Sequence, residues 1–314
     1  MKRKVIDSFD GEFQFLSNFY PYTSKKGLED GCEALKLHYD GLVFDSSEHA
    51  FQAAKSLRFE DRKKVQEAVS AYKSKRAGRK IQIRDDWDLV KKGVMSDVVC
   101  IKFRDLKLQK MLLETGDAYL IEGNYWHDNT WGDCSCDKCK KIVGRNWLGL
   151  ILMEERDKIR ELLHVFYSPH SSATESEKAF LVAAYFHCGQ FYGSGEHKYP
   201  YSMHFTNVSM RCETSVAKIT ATLHDVIEDT ELTLKDLELM KFSPEVIAAV
   251  ECMTHRENES YEDYLVRAVS NPISKEVKLA DVTENLSNTK SLKKERREKL
   301  EKKYAAALEF LKGE

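Results

Sequence analysis

The chain has 314 residues, 42% hydrophobic and 32% charged, which is enough apolar material for one large or two ordinary domains. A formal net charge of -2 excludes a global electrostatic pull toward nucleic acid or membrane, so any anion must be held locally. The sequence has no apolar run near the ~18 residues of a spanning helix, and its basic N-terminus lacks the apolar middle of a signal peptide. The expectation is a cytoplasmic protein whose eight cysteines are thiols or metal ligands rather than disulfides.

The first part, 1–165, reads as α+β and mostly helical. Leu42-Val43-Phe44 predicts a strand, and Ser47 a cap for a helix starting at Glu48. On that helix Glu48, Gln52 and Lys55 share one face at i, i+4 and i+7, which suits either a polar ligand or a surface ion-pair row. Helical periodicity runs through 60–80, 86–113 and 148–163. The polar and aromatic segment 122–132 has little helix tendency and reads as a site loop. Gly144-Arg145-Asn146-Trp147 leads into a helix whose N-terminus can receive a phosphate.

Cys134-Ser135-Cys136-Asp137-Lys138-Cys139 puts three cysteines in six residues. That spacing reads first as an inserted loop of free thiols, with zinc, and His127 as its nearest fourth ligand, as the alternative. Cys32, Cys100, Cys188, Cys212 and Cys252 are isolated and read as core or surface thiols.

Tyr167 to Thr174 is Ser-rich, carries Pro169 and reads as a linker. Ser172 and Thr174 each precede a glutamate by three residues, the capping-box pattern. The second part, 172–314, is expected to be all-α, with helices over 175–188, 206–228, 233–240, 244–254, 260–270, 274–287 and 292–312. The basic run Lys290–Lys303 has interleaved glutamates and reads as a solvated helix face.

Within that part His204, His224-Asp225 and Asp281 are ligand types for a borderline divalent metal, with Glu228 one turn beyond His224 and Asp229 beside it as acids. Pro200-Tyr201-Ser202-Met203-His204, Leu223-His224-Asp225-Val226-Ile227-Glu228-Asp229-Thr230 and Lys278-Leu279-Ala280-Asp281 through Asn285 resemble the HD hydrolase domain of RelA/SpoT-type alarmone hydrolases and related stand-alone HD phosphohydrolases. The resemblance implies His204, His224, Asp225 and Asp281 as ligands of a metal, most naturally manganese, and Glu228 and Asp229 as catalytic acids. It also implies Lys278 and Asn285 near the substrate, and His187 and Gln190 in the entry helix. Phe191-Tyr192-Gly193-Ser194 departs from the basic residues that alarmone hydrolases place there, which puts guanosine tetraphosphate in doubt and favours a nucleotide or other phosphorylated small molecule.

Phe15-Leu16-Ser17-Asn18-Phe19-Tyr20, Ser47 to Lys55, Gly78-Arg79, the 122–132 segment and Gly144 to Gly149 together resemble the YbiA/NADAR family. That resemblance implies N-glycosidic bond cleavage on ribosylated pyrimidines or ADP-ribosyl guanine. It carries over Glu48, Lys55, Glu122 and Asp128 as catalytic residues, and Asn18, His49, Gln52, Arg79, Trp131 and Asn146 as binding residues. The whole chain is then expected to be a bifunctional hydrolase acting on nucleotide or ADP-ribose-derived small molecules, or on ADP-ribosylated nucleic acid. The alternative is a non-catalytic NAD or ADP-ribose sensor controlling an HD hydrolase of alarmone type. The oligomeric state is open.

Overall fold

The computed structural model describes residues 4–20, 36–194, 197–289, 292 and 294–313. Cys32, Lys290 and Lys293 lie outside the described residues. The chain divides into two compact units, Met1–Glu161 and Leu162–Glu314. No helix among the described residues is long and apolar enough to cross a membrane.

The first unit is helices with short two-stranded ribbons. β1 (Val5–Ile6) pairs in parallel with β4 (Tyr119–Leu120), and β5 (Gly123–Asn124) with β6 (Asp133–Cys134). β2 (Leu37–Tyr39) and β3 (Leu42–Phe44) form an antiparallel hairpin turned by Asp40 and Gly41, both at positive φ. The helices are α1 (Ser47–Ala53), α2 (Phe59–Gln66), α3 (Ala71–Ala77), α4 (Trp87–Lys102), α5 (Leu106–Glu114) and α6 (Trp147–Tyr167). Ser46, not Ser47, caps α1, its hydroxyl accepting from His49 N at 3.3 Å. The expected segments 60–80 and 86–113 are each broken once, because Ser70 and Asp105 start new helices with cap bonds of their own.

Two buried cations tie this unit together. The Lys102 ammonium donates to Ser17 O at 2.7 Å, and the Arg156 guanidinium donates to Thr115 Oγ1 and Ala118 O at 2.7 and 3.0 Å. Each side chain is about 1% exposed, so the backbone oxygens it meets replace lost water. These bonds anchor the segments before α1 and β4, which carry site residues.

The second unit comprises α7 (Glu175–Phe186), β7 (Phe191–Ser194), β8 (His197–Pro200), α8 (Tyr201–Arg211), α9 (Ser215–Leu223), α10 (Val226–Asp229), α11 (Leu234–Leu239), α12 (Pro244–Met253), α13 (Tyr261–Val269), α14 (Pro272–Ser287) and α15 (Lys294–Lys312). Thr174 rather than Ser172 forms the capping box, with Glu177. Two expectations are corrected. The unit is not all-α: β7 and β8 form an antiparallel ribbon in which Tyr192 faces Tyr199 in register. Aromatic residues beside Gly193, at φ +94°, suit a strand better than a helix. The single helix expected over 206–228 is three helices. Cys212 turns extended, Thr214 caps α9, and Glu276 accepts from the backbone N–H of Glu213 and Thr214 at 2.5 and 3.2 Å. A core of Val208, Ala217, Ala221, Met253, Val277 and Ala280 joins α8, α9, α12 and α14.

Candidate active site and metal cluster

The first unit holds a cavity of about 1370 Å³. Its wall draws on the end of β1, on α1, on α3 and on the loop between β5 and β6, and it includes Asn18, Glu48, Gln52, Lys55, Arg79, Glu122, Asp128 and Trp131. Eight of the ten expected residues are thus brought together. The backbone N–H of Glu48 donates to Asn18 O at 2.9 Å, fixing the start of α1 beside the Phe15–Tyr20 segment.

The Glu48–Gln52–Lys55 row is not a solvated ion-pair face. Glu48 is 5% exposed and accepts from Gln52 Nε2 at 2.9 Å. Burial raises its pKa, partly offset by Lys75. Burial lowers the pKa of Lys55, against the pull of Glu48. The Lys55 ammonium lies 5.9 and 6.0 Å from the ring centroids of Phe51 and Trp87. An acid pushed up and an amine pushed down in one cavity are the usual marks of groups that exchange protons.

Glu122 stands between β4 and β5. Its pKa is pushed up to about 7, first by burial and then by the neighbouring Asp128 carboxylate. Asp128 caps its own turn, Oδ1 accepting from Thr130 N and Trp131 N at 3.0 and 2.9 Å. Asn18 Oδ1, Gln52 Oε1 and Glu122 Oε2 are buried without hydrogen-bond partners among the described residues. Three such atoms on residues of one cavity wall mark a site shaped for a polar ligand. Glycines permit the close packing. A Cβ on Gly78 would meet Gln52 Oε1 at 2.2 Å, and one on Gly132 would meet Glu122 O at 2.0 Å.

Two expected binding residues act behind the wall instead. His49 is fully buried, with Nδ1 2.8 Å from Ser46 Oγ and Nε2 2.9 Å from Ala68 O, so both ring nitrogens are spent on the fold. Asn146, in the left-handed region at φ +48°, accepts from Glu122 N at 3.0 Å and donates to Leu120 O at 2.7 Å. It positions Glu122. The sequence reading missed Lys75, Tyr72 and Phe19, which also line the cavity. Lys75 and Tyr72 sit in an ordinary-looking charged helix, and only the fold sets them along the cavity.

The second unit gathers the expected ligands. Ligand atoms of His204, His224 and Asp281 all lie within 4.8 Å of one another. Asp225 Oδ2 is 2.9 Å from His224 Nε2 and 3.6 Å from His204 Nε2, while Asp281 Oδ1 is 3.5 and 3.8 Å from His204 and His224 Nε2. His224 Nδ1 is 2.7 Å from Ala221 O, which can only accept. Nδ1 therefore carries the proton, and in the neutral ring Nε2 turns its lone pair to the carboxylates. Burial opposes a charge on His224, but Asp225 and Asp281 outweigh it and hold its pKa up at about 9. The residues fit a divalent cation: the buried His204, His224 and Asp281 converge on one point, and the half-buried Asp225 flanks it through Oδ2.

The rest of the cluster departs from expectation. His224 and Asp225 lie at the joint between α9 and α10, not within one helix. Glu228 and Asp229 are exposed at the rim. Glu228 accepts from His255 N and Asp229 from the Tyr201 hydroxyl. Lys278 is 8% exposed and donates to Asp281 Oδ2 at 2.9 Å, and Asn285 donates to Asp281 Oδ1 at 2.6 Å. Both are bonded to the Asp281 carboxylate. His187 ends α7 and stacks on Tyr201 at 4.5 Å, and Gln190 donates to Asp229 O at 2.8 Å.

Comparison with known proteins places one assignment firmly. Residues 7–160 match the NADAR domain family. The N-glycosidase YbiA of Escherichia coli strain K12 is 33% identical over 145 residues, covering 45% of this chain and 87% of that protein. The N-glycosidase Npun_R5314 of Nostoc punctiforme is 35% identical over 151 residues, 46% of this chain and 93% of that one. The NMR structure of E. coli YbiA overlays with a TM-score of 0.43 and 29% identity, over 54% of this chain and 93% of that chain.

Proposed function

The chain belongs to the NADAR family through residues 7–160, and from that premise we propose that its first unit hydrolyses an N-glycosidic bond between a ribosyl group and a base. The observation that carries this reading is the cavity wall on which Glu48, Lys55 and Glu122 meet, with three buried polar atoms of Asn18, Gln52 and Glu122 unpartnered among the described residues. Cleavage leaves positive charge at C1 of the ribose and negative charge on the departing base. Glu122, protonated up to about neutral pH, gives its proton to the base as a general acid. Glu48 and Asp128 supply carboxylates for the C1 charge. Arg79 and Lys75 line the same cavity and suit the phosphates of an ADP-ribosyl substrate. The depressed pKa of Lys55 favours a neutral amine that attacks C1, forming an imine with the opened sugar that water then hydrolyses.

The second unit is proposed as an HD-type phosphohydrolase acting on a nucleotide or related phosphate. The convergence of His204, His224 and Asp281, with Asp225 Oδ2 2.9 Å from His224 Nε2 and 3.6 Å from His204 Nε2, supports it. These four residues would hold a divalent ion, manganese being the natural choice, which when bound activates water and neutralises phosphoryl oxygens. Tyr201 and Lys278 keep the two carboxylates in place.

The test is a mass-spectrometric screen of ADP-ribosylated guanine nucleotides, ribosylamino-pyrimidines and nucleotide phosphates with added manganese. Wild type should release free base and phosphate. Glu48→Ala should lose only the first product and Asp225→Ala only the second. Borohydride added during turnover should trap a sugar adduct that Lys55→Arg lacks. Ligand binding without base release would sink the glycosidase and leave a sensor.

A further inference from the structure

The loop between β5 and β6 and the turn after β6 bring four soft ligands to one point. Sulfur atoms of Cys134, Cys136 and Cys139 and a ring nitrogen of His127 all lie within 4.8 Å of one another. His127 Nδ1 stands 3.2 Å from Cys136 Sγ and 3.3 Å from Cys139 Sγ. The three cysteines are unpaired thiols. They come from separate pieces of backbone: His127 from the loop at positive φ, Cys134 from β6, and Cys136 and Cys139 from a turn closed by Cys139 N donating to Cys136 O at 2.9 Å. Tetrahedral zinc, at about 2.3 Å from sulfur and 2.0–2.1 Å from nitrogen, holds such ligands roughly 3.6–3.8 Å apart. Ligands already gathered this closely need only small outward shifts to receive it.

We propose that His127, Cys134, Cys136 and Cys139 form a structural zinc site. Three thiolates and an imidazole select zinc over the hard cations, and four protein ligands leave no open position for chemistry. The ion would do work the backbone alone does weakly. The same loop supplies Tyr125, Trp126, Asp128 and Trp131 to the cavity wall, and Tyr125 and Trp126 are 76% and 63% exposed, with little packing to hold them. Cross-linking 127 to 134–139 fixes that wall from behind. The zinc is distinct from the ion proposed for the second unit, whose donors include carboxylates and no sulfur.

The full chain, purified without chelator, is titrated with a mercurial while released metal is measured. About one zinc should leave in step with modification of three thiols. Exchange with cobalt should give a thiolate-to-cobalt charge-transfer band and the strong visible bands of a tetrahedral ion. Both signals should persist in Asp225→Ala and vanish in Cys136→Ser/Cys139→Ser. Amide exchange over 124–135 should accelerate once the zinc is removed. Thiols that react without releasing zinc, a cobalt spectrum lacking the thiolate band, or a disulfide among the three cysteines would overturn the proposal. The wild-type titration decides the matter even if the double variant fails to fold.

Discussion

The two units hold their polar side chains in opposite ways. In the first, a wide cavity is ringed by groups left short of partners, including Gln52 Oε1 and Glu122 Oε2. In the second, both oxygens of Asp281 are already bonded, to Lys278 and Asn285, and Tyr192 donates to Asn285 at 2.8 Å, while the open buried atoms are ring nitrogens, His204 Nδ1 and His224 Nε2. The difference follows from what each would hold. A nucleotide-sized ligand brings its own hydrogen bonds, so its site must keep donors and acceptors open. A metal ion needs ligands that are already aimed, and outer bonds do the aiming.

The most severe way to break this contrast is His224→Ala. Losing one of four ligands should lower metal retention and phosphate release by roughly 10³-fold, with base release by the first unit unchanged. Equal loss of both activities would show that the two sites are not independent chemistries. Next is Glu122→Gln, expected to slow base release by about 10²- to 10⁴-fold. Its pH profile is the sharper readout. Wild type should lose activity as the pH rises through about 7, when Glu122 gives up its proton, and that limb should be absent in the amide variant. The same shift has a stability sign. The folded state keeps a proton that the unfolded state sheds above its ordinary value of about 4.5, so the contribution of Glu122 is fully present below that pH. It declines as the pH rises through about 7, and the wild type should lose stability relative to Glu122→Gln over that window. A smaller effect is expected of Gly78→Ala, whose Cβ would push Gln52 off its bond to Glu48. Base release should fall by about 10²-fold at most with folding retained. Unchanged activity would mean that Gln52 plays no part in binding.

The sequence made the ligand chemistry legible where residue types are rare in a given setting. A His-Asp pair in an apolar stretch and Glu48 with Gln52 and Lys55 at helical spacing could be picked out before any coordinates. What it could not separate is a group facing the ligand from a group facing the protein. Asn146 has the same side chain as Asn18, and His49 is as polar as its cavity-lining neighbours, yet the partners of Asn146 and His49, Leu120 O and Ala68 O, are 26 and 19 residues away in the chain and set only by the fold. The two breaks in the stretch 206–228 were hidden for another reason: apolar periodicity continues across the joint at His224-Asp225, and the earlier break, between α8 and α9, depends on Glu276, which lies on α14. Lys75 was invisible because a lysine on a charged seven-residue helix carries no signal of its own until packing decides which face is enclosed.

Tyr192 gives the finest test of the contrast. It packs against the His204 and Asp281 side of the proposed metal site. Its ring stacks on His204 at 4.5 Å, and its hydroxyl donates to Asn285, which in turn donates to Asp281. Tyr192→Phe keeps the stack and removes only the hydroxyl. If outer bonds aim the ligands, manganese affinity should fall by about tenfold, the low end for loss of an outer-shell partner. Tyr192→Ala should cost more, since His204 then loses its ring partner as well. Equal metal affinity in wild type and Tyr192→Phe, measured by calorimetric titration, would assign the aiming of Asp281 to Lys278 and Asn285 without help from the Tyr192 hydroxyl. The Tyr192–Asn285 bond behind Asp281 would then be a by-product of close packing rather than a means of holding an ion.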